Sequence, residues 1–333
     1  MPSASTKAER AARVTRASTE RLCAVSVDLD EMPCYTAIHG LPRTSLSENA
    51  QRAVYRKALP RLVELFERLA VPATFFAVGR DLADAHAANA LRDLARRGHE
   101  IANHSHDHLY DLTRRTRAEM QTQVAEAART IEHVTGRRPR GFRAPGYTIT
   151  DALYDVLLEQ GVSYDSSVFP CPLYYGAKLA AIGSYRLRGR PTRSIVDHPR
   201  VLTAPAEPYQ VGRPYSQTGT GLLELPIGVT RDGAGRLPFI GTSLIMAGIR
   251  GTGWLCQAIA GRRLVNLELH GIDAADAELD QLTSLRHIQP DLRYTAEHKL
   301  AVLEHAVQRL RGFGYRFITL EQAAEAFAPC AAA

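Results

Sequence analysis

Short apolar segments alternate with longer amphipathic ones along the chain, and this alternation limits the fold more than any other feature. The segments "LCAVSVDLD" (22–30), "ATFFAVG" (73–79) and "RLVNLELHG" (263–271) have the composition of buried strands. Leucines recur at three- and four-residue spacing in 48–70, as in an amphipathic helix, and a second helical pattern covers 117–136. Strands that alternate with amphipathic helices indicate a parallel α/β fold, and about seven or eight such units predict a barrel.

The composition is that of an ordinary globular protein. Of the 333 residues, 45% are hydrophobic and 23% are charged, which is enough material for one large core. We therefore predict a single barrel domain over 21–333, preceded by a flexible N-terminal tail over 1–20. That tail has no apolar signal segment, so a cytoplasmic location is expected. The net charge of +6 comes without a basic block interleaved with aromatic residues, which argues against nucleic-acid binding.

The region at about 171–261 interrupts the alternation. Its first part is rich in proline and glycine and has weak periodicity, which predicts a long loop or lid. Its last part, 236–261, is apolar but broken by Arg250 and several glycines, so a membrane span is not expected. This apolar segment is compatible with a lid, a lipid contact, a subunit interface or an extra helix packed on the barrel.

Two carboxylates lie at the end of the first predicted strand. Alternate side chains of an extended segment share a face, so Asp28 and Asp30 can point the same way. Such a pair repels itself unless a cation or a shared proton relieves it, so one aspartate can bind a metal ion while the other acts as a base. Taken alone, such a pair favours the alternative, a solvated acidic turn that caps the next helix.

Histidines are concentrated in "GHEIANHSHDH" (98–108), directly after another predicted strand. His104 and His108 are four residues apart, close enough for one turn to bring both imidazoles to one ion. Two histidines and a carboxylate leave coordination positions open, as in a catalytic metal site. A cluster of surface or core histidines is the alternative. His270 follows a third strand, where a lone histidine is more often a core residue than a catalyst.

Five motifs together resemble the polysaccharide deacetylases, carbohydrate esterase family 4. They are "SVDLDE", "ATFFAVG", "GHEIANHSHDH", "FRAPGY" and "LELHG", in this order. The resemblance covers roughly residues 22–325 and is strongest over 22–168. It implies a distorted (β/α)7-8 barrel of the polysaccharide deacetylase type with one divalent metal ion, usually Zn2+.

The resemblance also implies a role for each residue of these motifs. Three side chains would hold the metal ion: Asp30, His104 and His108. Asp28 would be the general base that takes a proton from water, and Arg143 of "FRAPGY" would pair with it and orient it. His270 would be the general acid that protonates the leaving amine.

The chain departs from the family pattern in ways that bear on the substrate. The two aspartates, adjacent in the family, are separated by Leu29, and the glycine of the "FRAPGY" motif is shifted. The tryptophan motif of the extracellular chitin and peptidoglycan enzymes is absent, since Trp254 lies elsewhere. These differences favour a small or carrier-linked N-acylated sugar over a wall polymer.

Four further residues are candidates for binding substrate or supporting the catalytic groups: His39, Tyr147, Asp165 and Glu224. Asp165 lies in "YDSSVFP", which stands in for part of the tryptophan motif and is expected near the site. Glu224, on an otherwise apolar strand, is expected to orient His270. His39 is equally compatible with a surface loop.

The sequence thus predicts a metal-dependent N-deacetylase that removes an N-acyl group, most simply acetyl, from an amino sugar or sugar conjugate in a biosynthetic route. One alternative is a hydrolase of a non-sugar amide, which removes formyl groups or opens cyclic ureides. Another is a carbohydrate-binding protein without catalysis, whose expected mark would be a missing ligand or base. The region 171–261 is expected to cover the metal site and exclude polymers. Contact with a membrane surface and a homo-oligomer are both compatible with its apolar segment.

Overall fold

The computed structural model of the protein describes residues 20–328, so the predicted N-terminal tail lies outside the described residues except for Glu20. The strands are β1 (Leu22–Asp28), β2 (Ala73–Ala77), β3 (Glu100–Asn103), β4 (Gly141–Phe142), β5 (Tyr164–Asp165), β6 (Tyr209–Val211), β7 (Thr218–Glu224), β8 (Leu264–His270) and β9 (Arg316–Ile318). The α-helices are α1 (Met32–Ile38), α2 (Glu48–Gln51), α3 (Leu59–Arg68), α4 (Ala85–Arg96), α5 (Arg117–Thr135), α6 (Asp151–Glu159), α7 (Pro172–Leu187), α8 (Gly241–Ile259), α9 (Ala296–Gly312) and α10 (Leu320–Phe327).

The described strands form one sheet, in the order β6-β7-β5-β4-β3-β2-β1-β8, with β9 paired to β1. Within the described chain every pairing is parallel except that of β6 with β7. The carboxyl ends of parallel strands meet at one edge of a sheet, so the loops that follow β1, β3, β4 and β8 converge there. The predicted α/β architecture is confirmed.

The sheet curls into a half-barrel. Between β7 and β8 the described backbone is irregular and is tied by single hydrogen bonds, from Gly228 N to Asn266 O and from Phe239 N to Gly228 O, both 2.9 Å long. The Asn266 side chain adds bonds to the carbonyls of Leu225 and Pro226 at 3.2 and 3.3 Å. The sheet therefore lacks a regular strand pairing between β7 and β8, and in this respect it departs from a regular closed barrel.

The central strands are buried on both faces, which explains why their sequences are nearly continuous runs of apolar residues. All seven residues of β1 and all five of β2 are buried, as expected for parallel strands with both faces covered. The helices carry local start signals: at α5, Thr116 and Glu119 form a reciprocal capping box. The strands therefore provide a rigid base, and the loops at their carboxyl ends are free to carry chemistry.

The region predicted as one long lid divides into three parts. Its first residues form α7, which begins with Pro172 and buries Ile182. The middle part supplies β6 and β7 to the central sheet, and the apolar segment forms α8, whose Leu255 and Ile259 join the main core. The region 171–261 is therefore not one continuous lid, since it supplies two strands and a core helix, and a lid stays a prediction for α7 and the chain directly after it. Within residues 20–328 none of the helices has the length and apolar character of a membrane span.

Candidate active site

Four strands deliver the candidate side chains to the same edge of the sheet. Asp28, the last residue of β1, is paired in register with His270, the last residue of β8. The final residue of β3 is paired with Phe142, the final residue of β4, so His104 and Arg143 follow side by side. Strand register alone thus brings together residues that are far apart in the sequence.

Asp30, His104 and His108 form a compact buried cluster. His104 Nε2 lies 3.2 Å from Asp30 Oδ1, and His108 Nε2 lies 3.1 Å from Asp30 Oδ2. Both imidazole nitrogens and Asp30 Oδ1 have no hydrogen-bond partner among the described residues, although such buried atoms cost roughly 1–3 kcal/mol each when left unsatisfied. Two imidazole nitrogens and a carboxylate that face one another fit a divalent ion such as Zn2+, which takes these ligands.

A strained turn points both histidines inward. Ser105 and His108 have positive φ angles of 63° and 52°, which are uncommon for residues other than glycine. Ser105 N donates to Asn103 Oδ1 at 2.8 Å, and His108 N donates to Ser105 Oγ at 3.2 Å. His104 Nδ1 lies 2.8 Å from Arg143 O. Because a carbonyl only accepts, Nδ1 carries the proton and Nε2 presents a lone pair to the cluster.

The electrostatics of the cluster suit a cation. Burial raises the pKa of Asp30, but the neighbouring His108 and His104 outweigh burial and bring it well below its ordinary value. Burial lowers the pKa of His108 in spite of Asp30. Burial also lowers the pKa of His104, but there the charges of Asp28 and Asp30 prevail and raise it. The ionised Asp30 and the lowered pKa of His108 suit metal binding, and the raised pKa of His104 reflects two nearby carboxylates whose negative charge favours a cation.

Asp28 lies next to this cluster and is held by a fully buried arginine. Arg143 Nη1 donates to Asp28 Oδ1 at 2.7 Å, while Asp28 Oδ2 lies 3.8 Å from His104 Nε2. Arg143 Nη2 also donates to Ser26 Oγ and Ser166 Oγ, both at 2.9 Å. The guanidinium therefore compensates the buried charge of Asp28 and directs its second oxygen toward the cluster.

His270 has a partner that the sequence analysis missed. Its Nδ1 lies 3.0 Å from Oε1 of Glu268, a fully buried carboxylate two residues earlier on β8. Burial lowers the pKa of His270, but the charges of Glu268 and Asp28 outweigh it and raise that pKa well above its ordinary value. The signal was present in "LELH", since residues two apart on a strand share a face.

Tyr147 of the "FRAPGY" motif reaches the same histidine. Its hydroxyl lies 3.3 Å from His270 Nε2, and its backbone has a positive φ of 57°. The Tyr147 ring contacts Phe169 and Tyr174, with ring centroids 5.7 and 5.8 Å apart. Because Tyr174 belongs to α7, this helix borders the site on the His270 side.

Two of the candidate carboxylates lie away from this arrangement. The predicted role of Glu224 in orienting His270 is wrong, because its two oxygens accept from Tyr154 Oη and from a backbone amide at 2.8 and 2.9 Å. Asp165 is fully buried beside Glu224 and accepts from the Ser167 hydroxyl at 2.8 Å. Both carboxylates therefore stabilise the part of the sheet formed by β5 and β7, and neither of them orients His270.

His39 joins two peripheral segments. Its Nδ1 lies 2.6 Å from the Tyr185 hydroxyl of α7, and its Nε2 lies 3.0 Å from Gln289 Oε1. These contacts tie α1 and α7 to the loop that precedes α9. The expectation that His39 lines the substrate pocket stays a prediction.

A groove of about 1060 Å³ runs along the same edge of the sheet. It is lined by the loops that follow β1, β2 and β3 and by the chain after α7. His108 and Tyr110 contribute to its wall, and their rings meet edge to face with centroids 4.7 Å apart. The groove thus adjoins the histidine cluster directly.

Comparison with known proteins agrees with this architecture. The family model described as polysaccharide deacetylase matches residues 52–164. The peptidoglycan deacetylase of Helicobacter pylori is 24% identical over 151 residues, which are 45% of this chain and 50% of that protein. The chitooligosaccharide deacetylase of a Bradyrhizobium strain is 36% identical over 87 residues, which are 26% of this chain and 38% of that protein. The matches thus span half or less of the length of these relatives.

Solved structures extend the likeness to nearly the whole chain. A crystal structure from Mycobacterium smegmatis, described as that of a polysaccharide deacetylase, superposes with a TM-score of 0.58 at 20% identity. The superposition covers 92% of this chain and 90% of the other. At this identity the likeness shows the fold. The matched family model and this fold make the chain similar to the polysaccharide deacetylases, with the family match extending over residues 52–164.

Proposed function

We propose that this protein is a metal-dependent hydrolase that removes an N-acyl group, most simply acetyl, from an amino sugar or a sugar conjugate. One observation carries the proposal: buried ligand atoms of Asp30, His104 and His108 face one another without hydrogen-bond partners in the described chain. A carboxylate and a histidine able to exchange protons lie beside them. The family match covers both histidines of the cluster and supports the same reaction class.

Asp30, His104 and His108 would hold the ion, and we propose Zn2+ because it favours a site of imidazole and carboxylate ligands. A divalent ion bound there supplies Lewis acidity, which polarises the acyl carbonyl and lowers the pKa of water. Asp28 acts as the general base, since Oδ2 faces the cluster while Arg143 holds Oδ1.

His270 acts as the general acid. Expulsion of an amine requires a proton, and Glu268 favours the protonated form of His270 by raising its pKa. Asp28 and His270 end neighbouring strands in register. One polar side-chain atom from each of Asp28, Glu268 and His270 lies within 4.8 Å of the other two. The base and the acid therefore flank one point, where the scissile amide can lie.

For the substrate, we propose a small or carrier-linked sugar rather than a wall polymer. Helix α7 lies against the site, because Lys178 Nζ donates to Gly146 O at 2.7 Å and Tyr174 packs on Tyr147. A helix in this place narrows the path by which a substrate can reach the metal cluster from the His270 side. The cytoplasmic location and the biosynthetic route stay predictions.

Metal analysis and an acyl-release assay test the proposal together. Zinc-loaded protein should hold about one equivalent of metal and release acetate from N-acetylated amino sugars, with formamides and cyclic ureides as alternative substrates. His104→Ala should lose the metal and nearly all turnover. His133→Ala, which changes an exposed histidine of α5, should keep both. If His104→Ala retains metal and turnover, or zinc-loaded protein hydrolyses no N-acyl substrate, the proposal is wrong.

A further inference from the structure

The groove beside the histidine cluster has a basic lining. Its charged residues are Arg80, Arg114, Arg115, Arg193, Asp107 and Asp111. Asp111 pairs with Arg115 at 2.8 Å, and Asp107 accepts from Gln123 Nε2 at 2.7 Å. Within residues 20–328, Arg114 and Arg193 form no ion pair. Arg80 pairs with Asp81 at 3.7 Å and Asp107 keeps its negative charge, so among the described residues the positive charge without an ion pair in the groove comes from Arg114 and Arg193.

The end of α7 and the chain after it add to this charge. Residues 186–193, which we call the basic strap, contain four arginines and no acidic residue: Arg186, Arg188, Arg190 and Arg193. These arginines are exposed, and none of them forms an ion pair in the described part of the chain. Thr192 Oγ1 donates to Ile38 O at 2.7 Å, which fixes the strap beside α1. Pro191, Thr192 and Arg193 of the strap line the groove, and the other three arginines directly precede them in the chain.

The position of the groove is that of a substrate site. In parallel α/β proteins ligands bind outside the carboxyl ends of the strands. The groove is lined by the loops after β1, β2 and β3, and it includes the residue His108 of the candidate metal centre. A substrate whose acyl group lies at the histidine cluster can therefore extend along the groove toward the strap.

Unpaired guanidinium groups that share one groove repel one another and favour an anion between them. Their planar donors match phosphate oxygens, and several cations together suit a doubly charged group better than a single carboxylate. We propose that the groove and the basic strap bind a phosphate or diphosphate group carried by the N-acylated sugar. The inference rests on the proposed function and narrows its substrate to phosphate-linked sugars. A nucleotide and a lipid carrier share this chemistry.

Anion binding can be measured without turnover. Pyrophosphate is titrated calorimetrically into the full chain after removal of metal by chelation, so that the metal site cannot hold the anion. Arg114→Gln combined with Arg193→Gln should weaken binding at least about tenfold, since two charge-assisted contacts are lost. Arg96→Gln combined with Arg250→Gln, two exposed arginines outside the groove, should bind as the wild type does. Absence of wild-type binding, or equal binding by both double variants, would overturn the proposal.

Kinetics then identify the carrier. One N-acetylhexosamine is presented as a methyl glycoside, a 1-phosphate, a nucleoside diphosphate conjugate and a polyprenyl diphosphate conjugate in vesicles. The groove variant should raise KM at least about tenfold more for the phosphate-bearing substrates than for the methyl glycoside. An equal rise for all substrates would refute the groove assignment. Wild-type protein that binds pyrophosphate with the expected arginine dependence, yet hydrolyses no N-acyl substrate, would refute the proposed function alone.

Discussion

At the scale of single residues, the site assigns different partners to two aspartates that are separated by Leu29. Asp30 faces the imidazoles of His104 and His108, whereas Asp28 is bound by the buried guanidinium of Arg143. Because their surroundings differ, the two carboxylates can perform different tasks on one substrate. The pair therefore separates a ligand from a base.

Matched amide substitutions test this separation. Asp28→Asn should retain the metal but lose roughly 10²-fold or more of kcat, because it removes the general base. Asp30→Asn should weaken metal binding itself, because a neutral amide replaces a charged ligand. Metal content and kcat are measured on both variants. The reverse pattern would show that the two roles are exchanged.

The Glu268–His270 pair predicts the pH dependence of turnover. A general acid works only while it is protonated, so turnover falls as pH rises through the pKa of His270. Glu268 raises this pKa, so Glu268→Gln should lower it and move the alkaline limb of kcat to lower pH by roughly one unit or more. Glu224→Gln, which alters another fully buried carboxylate, should leave the limb in place. If the alkaline limb of the kcat–pH profile does not move in Glu268→Gln, or moves equally in both variants, the role of Glu268 in raising the pKa of His270 is contradicted.

At the scale of elements, the start of α8 supports the end of β8. Asp273 Oδ2 accepts from His270 N at 2.9 Å, and this carboxylate packs directly on Gly241, the first residue of α8. A Cβ atom at Gly241 would lie 1.9 Å from Asp273 Oδ2, closer than any real contact. Glycine is thus required where the helix meets the loop that positions His270.

Gly241→Ala should therefore displace Asp273 and destabilise the protein by roughly 1–3 kcal/mol, the cost of an overpacked contact, with loss of turnover. Gly253→Ala is the matched control in the same helix. There the added Cβ atom would meet His305 Nε2 at 3.5 Å, an ordinary contact, and alanine should gain up to about 1 kcal/mol in helix stability. Thermal unfolding and kcat are measured on both. Equal effects of the two substitutions would show that the Asp273 contact does not matter.

At the scale of the whole molecule, some parts of the fold were predictable and others were not, for physical reasons. Strands β1 and β8 are buried apolar runs that end in polar residues, so both the strands and their active edge could be predicted. Helix α7 could not, because it buries little and shows weak periodicity. Glu224 was misassigned because a carboxylate on an apolar strand indicates burial but does not identify its partner.

The central claim is that Asp30, His104 and His108 hold one divalent ion at the edge where the strands end. Anomalous diffraction at the zinc absorption edge, from crystals of zinc-loaded protein, tests it most directly. The account predicts one peak at about 2.0–2.2 Å from His104 Nε2, His108 Nε2 and an Asp30 oxygen. Zinc found instead among Asp28, Glu268 and His270, or no bound zinc in this part of the protein, would contradict the account.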